Sequence, residues 1–231
     1  MTMQPDNSIQ FVSLGPGDPE MVTLGALHAL QRADIILAPG NKETSRAADI
    51  VRSLGITTPI EVFHIPMSTN RQAALDAYAA LADLAKQAIK QDKRVAVCVE
   101  GDASVYASMH YVMDLLAAEG YPATQLPGIP SFIAAAAVAN MHLVSGNQRL
   151  VVVPGNLTPT DAEHYLADNC VVVVMKLSAC IDALHTVMAQ HPDWQYAYYE
   201  NVGLPTSFFS QRIEDIVARQ PTYFSMLIIR R

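Results

Sequence analysis

The chain has little charge, few aromatic rings and few cysteines. Charged residues make up 16% of its 231 residues, and Lys and Arg number 15 against 22 Asp and Glu, leaving a net charge of -7. A protein that grips nucleic acid carries the opposite bias, so RNA and DNA are excluded as general partners. The three cysteines, Cys98, Cys170 and Cys180, lack Cys-x-x-Cys spacing and lie within or beside apolar segments. They read as buried thiols, not as metal ligands or disulfides. The seven histidines contain no His-Glu-x-x-His pair, and no protein metal site is expected. No apolar run approaches the roughly 20 residues needed to cross a bilayer. The first eight residues also lack the basic-then-apolar pattern of a secretory signal. Together these features point to a cytoplasmic protein without a membrane partner.

What the chain has is apolar mass, at 51% of residues, enough to build one large domain or two modest ones. Short apolar runs at 9–14, 34–38, 60–65, 95–99 and 124–126 read as buried strands. Helical patterns at 21–32, 43–53, 70–91, 104–118 and 131–141 separate or follow them. Such alternation implies right-handed crossovers and a parallel sheet covered on both faces. Four of these strands end in a turn signal: Gly15-Pro16-Gly17, Pro39-Gly40, Gly101-Asp102 and Pro127-Gly128. Ligands bind at the carboxyl ends of strands in open parallel sheets, so these turns gather on the ligand edge.

The polar segment Ser145-Gly146-Asn147-Gln148 sets a domain boundary, giving an N-terminal domain at 1–144 and a C-terminal domain at 145–231. The second half reads as strands at 150–153, 171–175, 196–200 and 223–229, with helices at 161–167 and 179–190. A further strand at 206–211 would add hairpin pairing. The expected fold class is α/β with two α/β domains: a parallel-sheet N-terminal domain, a mixed-sheet C-terminal domain, and the active site in the cleft between them.

The turn Gly15-Pro16-Gly17-Asp18-Pro19-Glu20 brings bare backbone toward a ligand, because glycine permits approaches that a side chain forbids. Its carboxylates repel phosphate and suit a neutral or cationic group. Without Gly-x-Gly-x-x-Gly, and with acids where a pyrophosphate would sit, a dinucleotide enzyme is disfavoured. Asp18 reads equally as a helix cap. Asp102 reads as a ligand for hydroxyl or amide groups, as an N-cap for a helix from Ser104, or as both.

Three motifs in this order and spacing resemble the tetrapyrrole methylases, two-domain enzymes that transfer methyl groups from S-adenosylmethionine to corrin and sirohaem precursors. They are Leu14-Gly15-Pro16-Gly17-Asp18-Pro19-Glu20, Glu100-Gly101-Asp102-Ala103-Ser104-Val105-Tyr106 and Pro127-Gly128-Ile129-Pro130-Ser131-Phe132. The resemblance covers nearly the whole chain. Softer motifs, Met175-Lys176, Tyr199-Glu200-Asn201-Val202 and Tyr223-Phe224-Ser225-Met226-Leu227-Ile228-Ile229, look most like the precorrin-2 carbon-20 methyltransferases. The chain departs from the family pattern at Ser13, where a first glycine is frequent, at Ala103, where Gly-Asp-Pro is usual, and at Pro130, where a small hydroxyl residue is common. Alanine at 103 loosens a turn that proline would pre-set, while leaving its backbone groups available.

The resemblance implies S-adenosylmethionine as cofactor, a tetrapyrrole substrate and a homodimer. It assigns Pro16, Gly101, Asp102, Val105, Tyr106, Ser131, Phe132, Met175, Val202, Pro221, Thr222 and Tyr223 to the cofactor. Only the resemblance lifts Met175, Val202 and Phe132 out of ordinary packing. Gly17, Asp18, Lys42 and Arg46 are candidates for the substrate, a flat polycarboxylate that an acidic protein must meet with local cations. Both cations, and Arg71, read equally as solvated surface charge. No residue is singled out by spacing as a catalytic base, and that role is left unassigned. The implied activity is methylation of carbon-20 of precorrin-2 or its cobalt-containing counterpart. The alternatives are another precorrin position, such as carbon-11 of precorrin-4, or a non-catalytic S-adenosylmethionine-binding module.

Overall fold

The computed structural model describes residues 8–41, 44–66, 71–121 and 123–231. By compactness the chain divides into two units, Met1–Pro130 and Ser131–Arg231. The polar segment at 145–148 and this compactness boundary differ by one helix and the turn that follows it.

The first unit is a five-stranded parallel sheet in the order β3-β2-β4-β1-β5. Its strands are β1 (Ile9–Ser13), β2 (Ile35–Pro39), β3 (Ile60–Phe63), β4 (Val95–Val99) and β5 (Ala123–Leu126). All five residues of β4 are buried, as the uninterrupted Val-Ala-Val-Cys-Val run requires of a central strand covered on both faces. Alternate strand residues face opposite layers. Ile9, Phe11, Leu37, Val95 and Val97 pack with the helices α3 (Arg71–Ile89) and α4 (His110–Ala118). Val12, Leu14, Ile36, Ala38 and Cys98 pack with α1 (Leu24–Arg32) and α2 (Arg46–Ser53). Because β1 feeds a helix on one face and the adjacent β4 feeds a helix on the other, the chain's direction of travel switches between their carboxyl ends. Open α/β sheets place ligands at such a point.

The second unit begins with α5 (Ser131–Val138) and holds a mixed sheet in the order β6-β7-β10-β8-β9. Here β6 (Arg149–Pro154) and β7 (Cys170–Met175) are parallel, while β10 (Ser225–Arg230) runs antiparallel to both β7 and β8 (Gln195–Glu200). The strand expected at 206–211 is β9 (Phe208–Ser210), which closes the antiparallel edge against β8. Helices α6 (Pro159–Ala167) and α7 (Ile181–Gln190) cover one face, packing Ala162, Leu166, Leu184 and Val187 onto Val172, Val174, Tyr198 and Leu227. Thr158 and Asp161 form a reciprocal capping box at the start of α6. The short helix α8 (Ile213–Val217) has no counterpart among the sequence expectations. The three cysteines are buried free thiols, and burial pushes Cys98 up to about 12. Among the described residues, no helix is long and apolar enough to cross a membrane.

Candidate active site

The ends of β1, β4 and β5 in the first unit are tied together by their loops. Gly15 and Gly101 exchange backbone hydrogen bonds of 3.1 and 2.7 Å in an isolated bridge. Gly101 sits at φ 74, and nothing lies within 4 Å of where its Cβ would be. Bare backbone is therefore open to a ligand at this position. Gly128 is the opposite case, since a Cβ there would stand 2.5 Å from both the Gly101 carbonyl oxygen and Ser13 Cβ. Thr23 caps α1 through the Ala26 N–H at 3.2 Å and also donates to the Pro127 carbonyl at 3.3 Å.

Asp102 is the centre of this arrangement. One carboxylate oxygen, Oδ1, accepts from the Ser104 N–H at 2.8 Å and from the Ser104 hydroxyl, and the other, Oδ2, accepts from the Gly128 N–H at 2.7 Å. Burial would raise its pKa, but the hydrogen bonds from Ser104 and Gly128 outweigh burial and hold it below the usual carboxylate range. The carboxylate thus fixes two loops. The expected helix over 104–118 begins only at His110, because residues 103–109 form turns in which Tyr106 takes a left-handed backbone, φ 50. Asp102 therefore caps a turn, and Tyr106 stands on that turn, 47% exposed, rather than one turn into a helix. A non-glycine residue in that region is uncommon and concentrates at functional sites.

Pro16 and Gly17 are buried, and Asp18 accepts from the Glu20 N–H at 2.9 Å, so its side chain caps the 3-10 turn Pro19–Met21. Arg46 opens α2, donates to the Pro16 carbonyl at 3.3 Å and lies 3.8 Å from Glu100. Burial raises the Glu100 carboxyl while the Arg46 charge opposes the shift. Lys42 falls outside the described residues. The sequence reading passed over Glu100, although a carboxylate directly after five buried residues was a signal to look for a cation partner.

The second unit gathers its assigned residues at one sheet edge. Register pairs Met175 with Met226, Pro154 with Met175, and Glu200 with Ser225 and Phe208. The ends of β6, β7 and β8 and the start of β10 thus stand in a row, which brings Met175, Val202 and the segment 221–223 to the same edge. Val202 is buried, and Tyr223 is 56% exposed. Lys176 and Asn201, just past β7 and β8, both have left-handed backbones. In α5, Ser131 is its first residue and Phe132 is buried.

Glu200, 3% exposed, organises that edge. It accepts from the Tyr198 hydroxyl and from Arg219 Nη2 at 2.7 Å, and the Thr222 N–H adds a further bond. Burial would raise its pKa, but Arg219 and Tyr198 reverse the direction and hold it low. The Arg219 guanidinium lies 3.7 Å above the Phe208 ring. Ser225 donates to the Thr222 carbonyl at 2.6 Å, and the Asn201 N–H to the Phe224 carbonyl at 3.0 Å. The 221–224 segment is thereby held from several sides. Among the described residues, no group of three or more His, Cys, Asp or Glu is placed to hold a metal ion.

A model of the family described as Tetrapyrrole (Corrin/Porphyrin) Methylases matches residues 8–216. The chain belongs to that family. Its members act on tetrapyrrole intermediates with S-adenosylmethionine as methyl donor. The open backbone over Gly101 and the carboxylates of the Gly15–Glu20 turn fit such a donor, a cation at sulfur with a flat, largely neutral adenosine. Among curated relatives, the chain is 30% identical over 167 residues to the probable cobalt-precorrin-2 C(20)-methyltransferase of Methanocaldococcus jannaschii, covering 71% of this chain and 70% of that one. It is 27% identical to the precorrin-2 C(20)-methyltransferase of a Sinorhizobium species, covering 94% and 93%. The solved structure of a cobalt precorrin-4 methyltransferase has the same fold, with a TM-score of 0.75, 17% identity, and 99% and 98% of the two chains covered.

Proposed function

We propose that this methylase acts on carbon-20 of precorrin-2, or of its cobalt-containing counterpart, in cobalamin synthesis. The observation that carries the reading is the near end-to-end similarity to a protein named for that reaction, over 94% of this chain. The bound donor supplies a methyl group already attached to a good leaving group. The protein's work is then to align donor and acceptor, and holding reacting atoms at roughly 3 to 3.5 Å accounts for several kcal/mol of barrier.

In this reading the backbone of Gly101 and Val105 receives the cofactor in the first unit, with Asp102 holding the loop in shape. Pro16, Tyr106, Ser131 and Phe132 supply further wall. Met175, Val202 and the segment 221–223 form the adenosine wall on the second sheet's edge. Gly17, Asp18 and Arg46 face the substrate, with Arg46 meeting its carboxylates, and Lys42 is a further candidate cation for them. The protein works as a cytoplasmic homodimer of domains bounded at 144 and 145.

The deciding experiment is an anaerobic assay with isotopically labelled S-adenosylmethionine, offering precorrin-2 and cobalt-sirohydrochlorin separately and locating the added methyl by NMR. A methyl at carbon-20 is expected. Cofactor binding with no transfer to either substrate would favour another precorrin position, such as carbon-11 of precorrin-4, or the binding module.

A further inference from the structure

Ser13 closes β1 with no exposed surface, a hydroxyl among apolar neighbours. That hydroxyl accepts from the Ala103 N–H at 2.9 Å, a buried bond between residues 90 positions apart. On its other side, Ser13 Cβ packs so near Gly128 that a Cβ there would come within 2.5 Å. One small side chain therefore sets where the backbone at 103 sits against β1 and how close the 127–130 loop comes. The same two loops are joined to β1 and to each other by the Gly15 to Gly101 bridge and the Asp102 to Gly128 bond.

Glycine at 13 would have no hydroxyl to accept, and proline at 103 no N–H to donate. Either exchange alone leaves a buried polar group without its partner, and a buried unsatisfied group is costly. Here the hydroxyl and the N–H are both present and satisfy each other.

We propose that Ser13 is a positioning residue for the cofactor loop, its hydroxyl fixing the 101–106 backbone through the Ala103 N–H, so that residues 13 and 103 form one coupled unit. The proposal rests on the reading that this loop holds S-adenosylmethionine.

The test uses the purified full chain and four variants: Ser13→Ala, Ala103→Pro, the double change Ser13→Ala with Ala103→Pro, and Gly101→Val. S-adenosylmethionine affinity is measured by calorimetry and amide exchange by NMR. Ser13→Ala is expected to raise Kd about five- to tenfold and to speed exchange of the Ala103 amide, while amides in β8 and β10 keep their rates. Ala103→Pro should raise Kd by a similar factor, and the double variant by much less than the product of the single effects. An unchanged Kd for Ser13→Ala, or losses that simply multiply, overturns the proposal. A purely structural role would lower thermal stability without moving Kd, and that result also overturns it. Gly101→Val separates the proposal from the reading beneath it. If Gly101→Val keeps the wild-type amide spectrum outside this loop and abolishes binding while Ser13→Ala leaves Kd alone, the cofactor reading stands and the proposal falls. If Gly101→Val binds normally, the reading falls and takes the proposal with it. Should Ala103→Pro not fold, affinity and Ala103 exchange in Ser13→Ala decide by themselves.

Discussion

Asp102 and Glu200 stand just past or at the carboxyl ends of β4 and β8, one in each unit, and each holds a loop assigned to the cofactor. They do so by different means. Asp102 has uncharged partners, two backbone N–H groups and a hydroxyl. Glu200 has a guanidinium and a phenol besides one backbone N–H, and its cation is itself stacked on Phe208. The parallel sheet sends neighbouring loops to one edge, close enough for dipoles and glycines to lock them. In the mixed sheet the antiparallel strand β10 is preceded by a segment that comes from outside the row, and a full charge reaches across to hold it. A carboxylate solvated by dipoles is sensitive to geometry, whereas one neutralised by a cation is sensitive to charge.

The largest expected effect tests the geometric side. Gly128→Ala places a methyl against backbone and against Ser13, and should cost about 3 kcal/mol, the upper end of overpacking penalties. S-adenosylmethionine affinity should fall with it, because Gly101 is the atom group pushed away. Thermal unfolding with calorimetric titration checks this. Wild-type stability and affinity would mean that the two loops are not locked together as described.

Next comes the charged side. Glu200→Gln keeps the shape but leaves Arg219 facing an amide, and should cost roughly 2–3 kcal/mol, less than a fully buried pair because Arg219 retains 38% exposure. Asp102→Asn turns an NH2 group toward either Gly128 or Ser104 and should cost about 1–2 kcal/mol. The contrast predicts that Asp102→Asn, the smaller change in stability, is at least as damaging to cofactor affinity. Equal ratios of affinity loss to stability loss in the two variants would remove the distinction.

How much of this was legible in the sequence follows from the range of each interaction. The buried run Val95–Val99 and its turn were readable because a central strand leaves a local imprint. The antiparallel edge pairing of the second sheet was readable from the short apolar segment before α8, whereas the place of β10 between β7 and β8 left no such local imprint. The start of α4 was misplaced because 104–109 has helical composition, while Asp102 bonding to Ser104 and the left-handed backbone of Tyr106 are choices made by the loop. Glu200 was visible as part of a motif but its role was not, since Arg219 lies 19 residues away. Ser13 was visible only as a departure, because its partner lies 90 residues away.

Acid titration sharpens the comparison further and has opposite signs within the first unit. Asp102 and Glu200 are held low, so each contributes stability that is present above the ordinary carboxylate pKa of about 4 and is lost as pH falls through the lowered value. Glu100 is raised by burial, so its contribution is complete below about 4 and is lost as pH rises through the raised value. Glu100→Gln should therefore flatten the decline of stability above that point, whereas Asp102→Asn and Glu200→Gln should flatten the decline below it. Thermal midpoints collected across the acid range check both limbs, and a Glu100→Gln curve parallel to wild type would show that Arg46 cancels the effect of burial.

The smallest expected effect, and the most selective, is the response to salt. The Glu200 to Arg219 contact is 2.7 Å, but the arginine reaches solvent, so ions can screen it. The screening length shrinks from about 30 Å at 0.01 M to about 3 Å at 1 M. Among the described residues Asp102 has no cation as a hydrogen-bond partner, so salt has no such pair to weaken there. The stability gap between wild type and Glu200→Gln should narrow as sodium chloride rises, while the gap for Asp102→Asn stays constant. If both gaps narrow together, Asp102 is stabilised by a more distant cation as well as by its dipoles. Arg46, 3.8 Å from Glu100 on the same edge, is the first residue to substitute in that event.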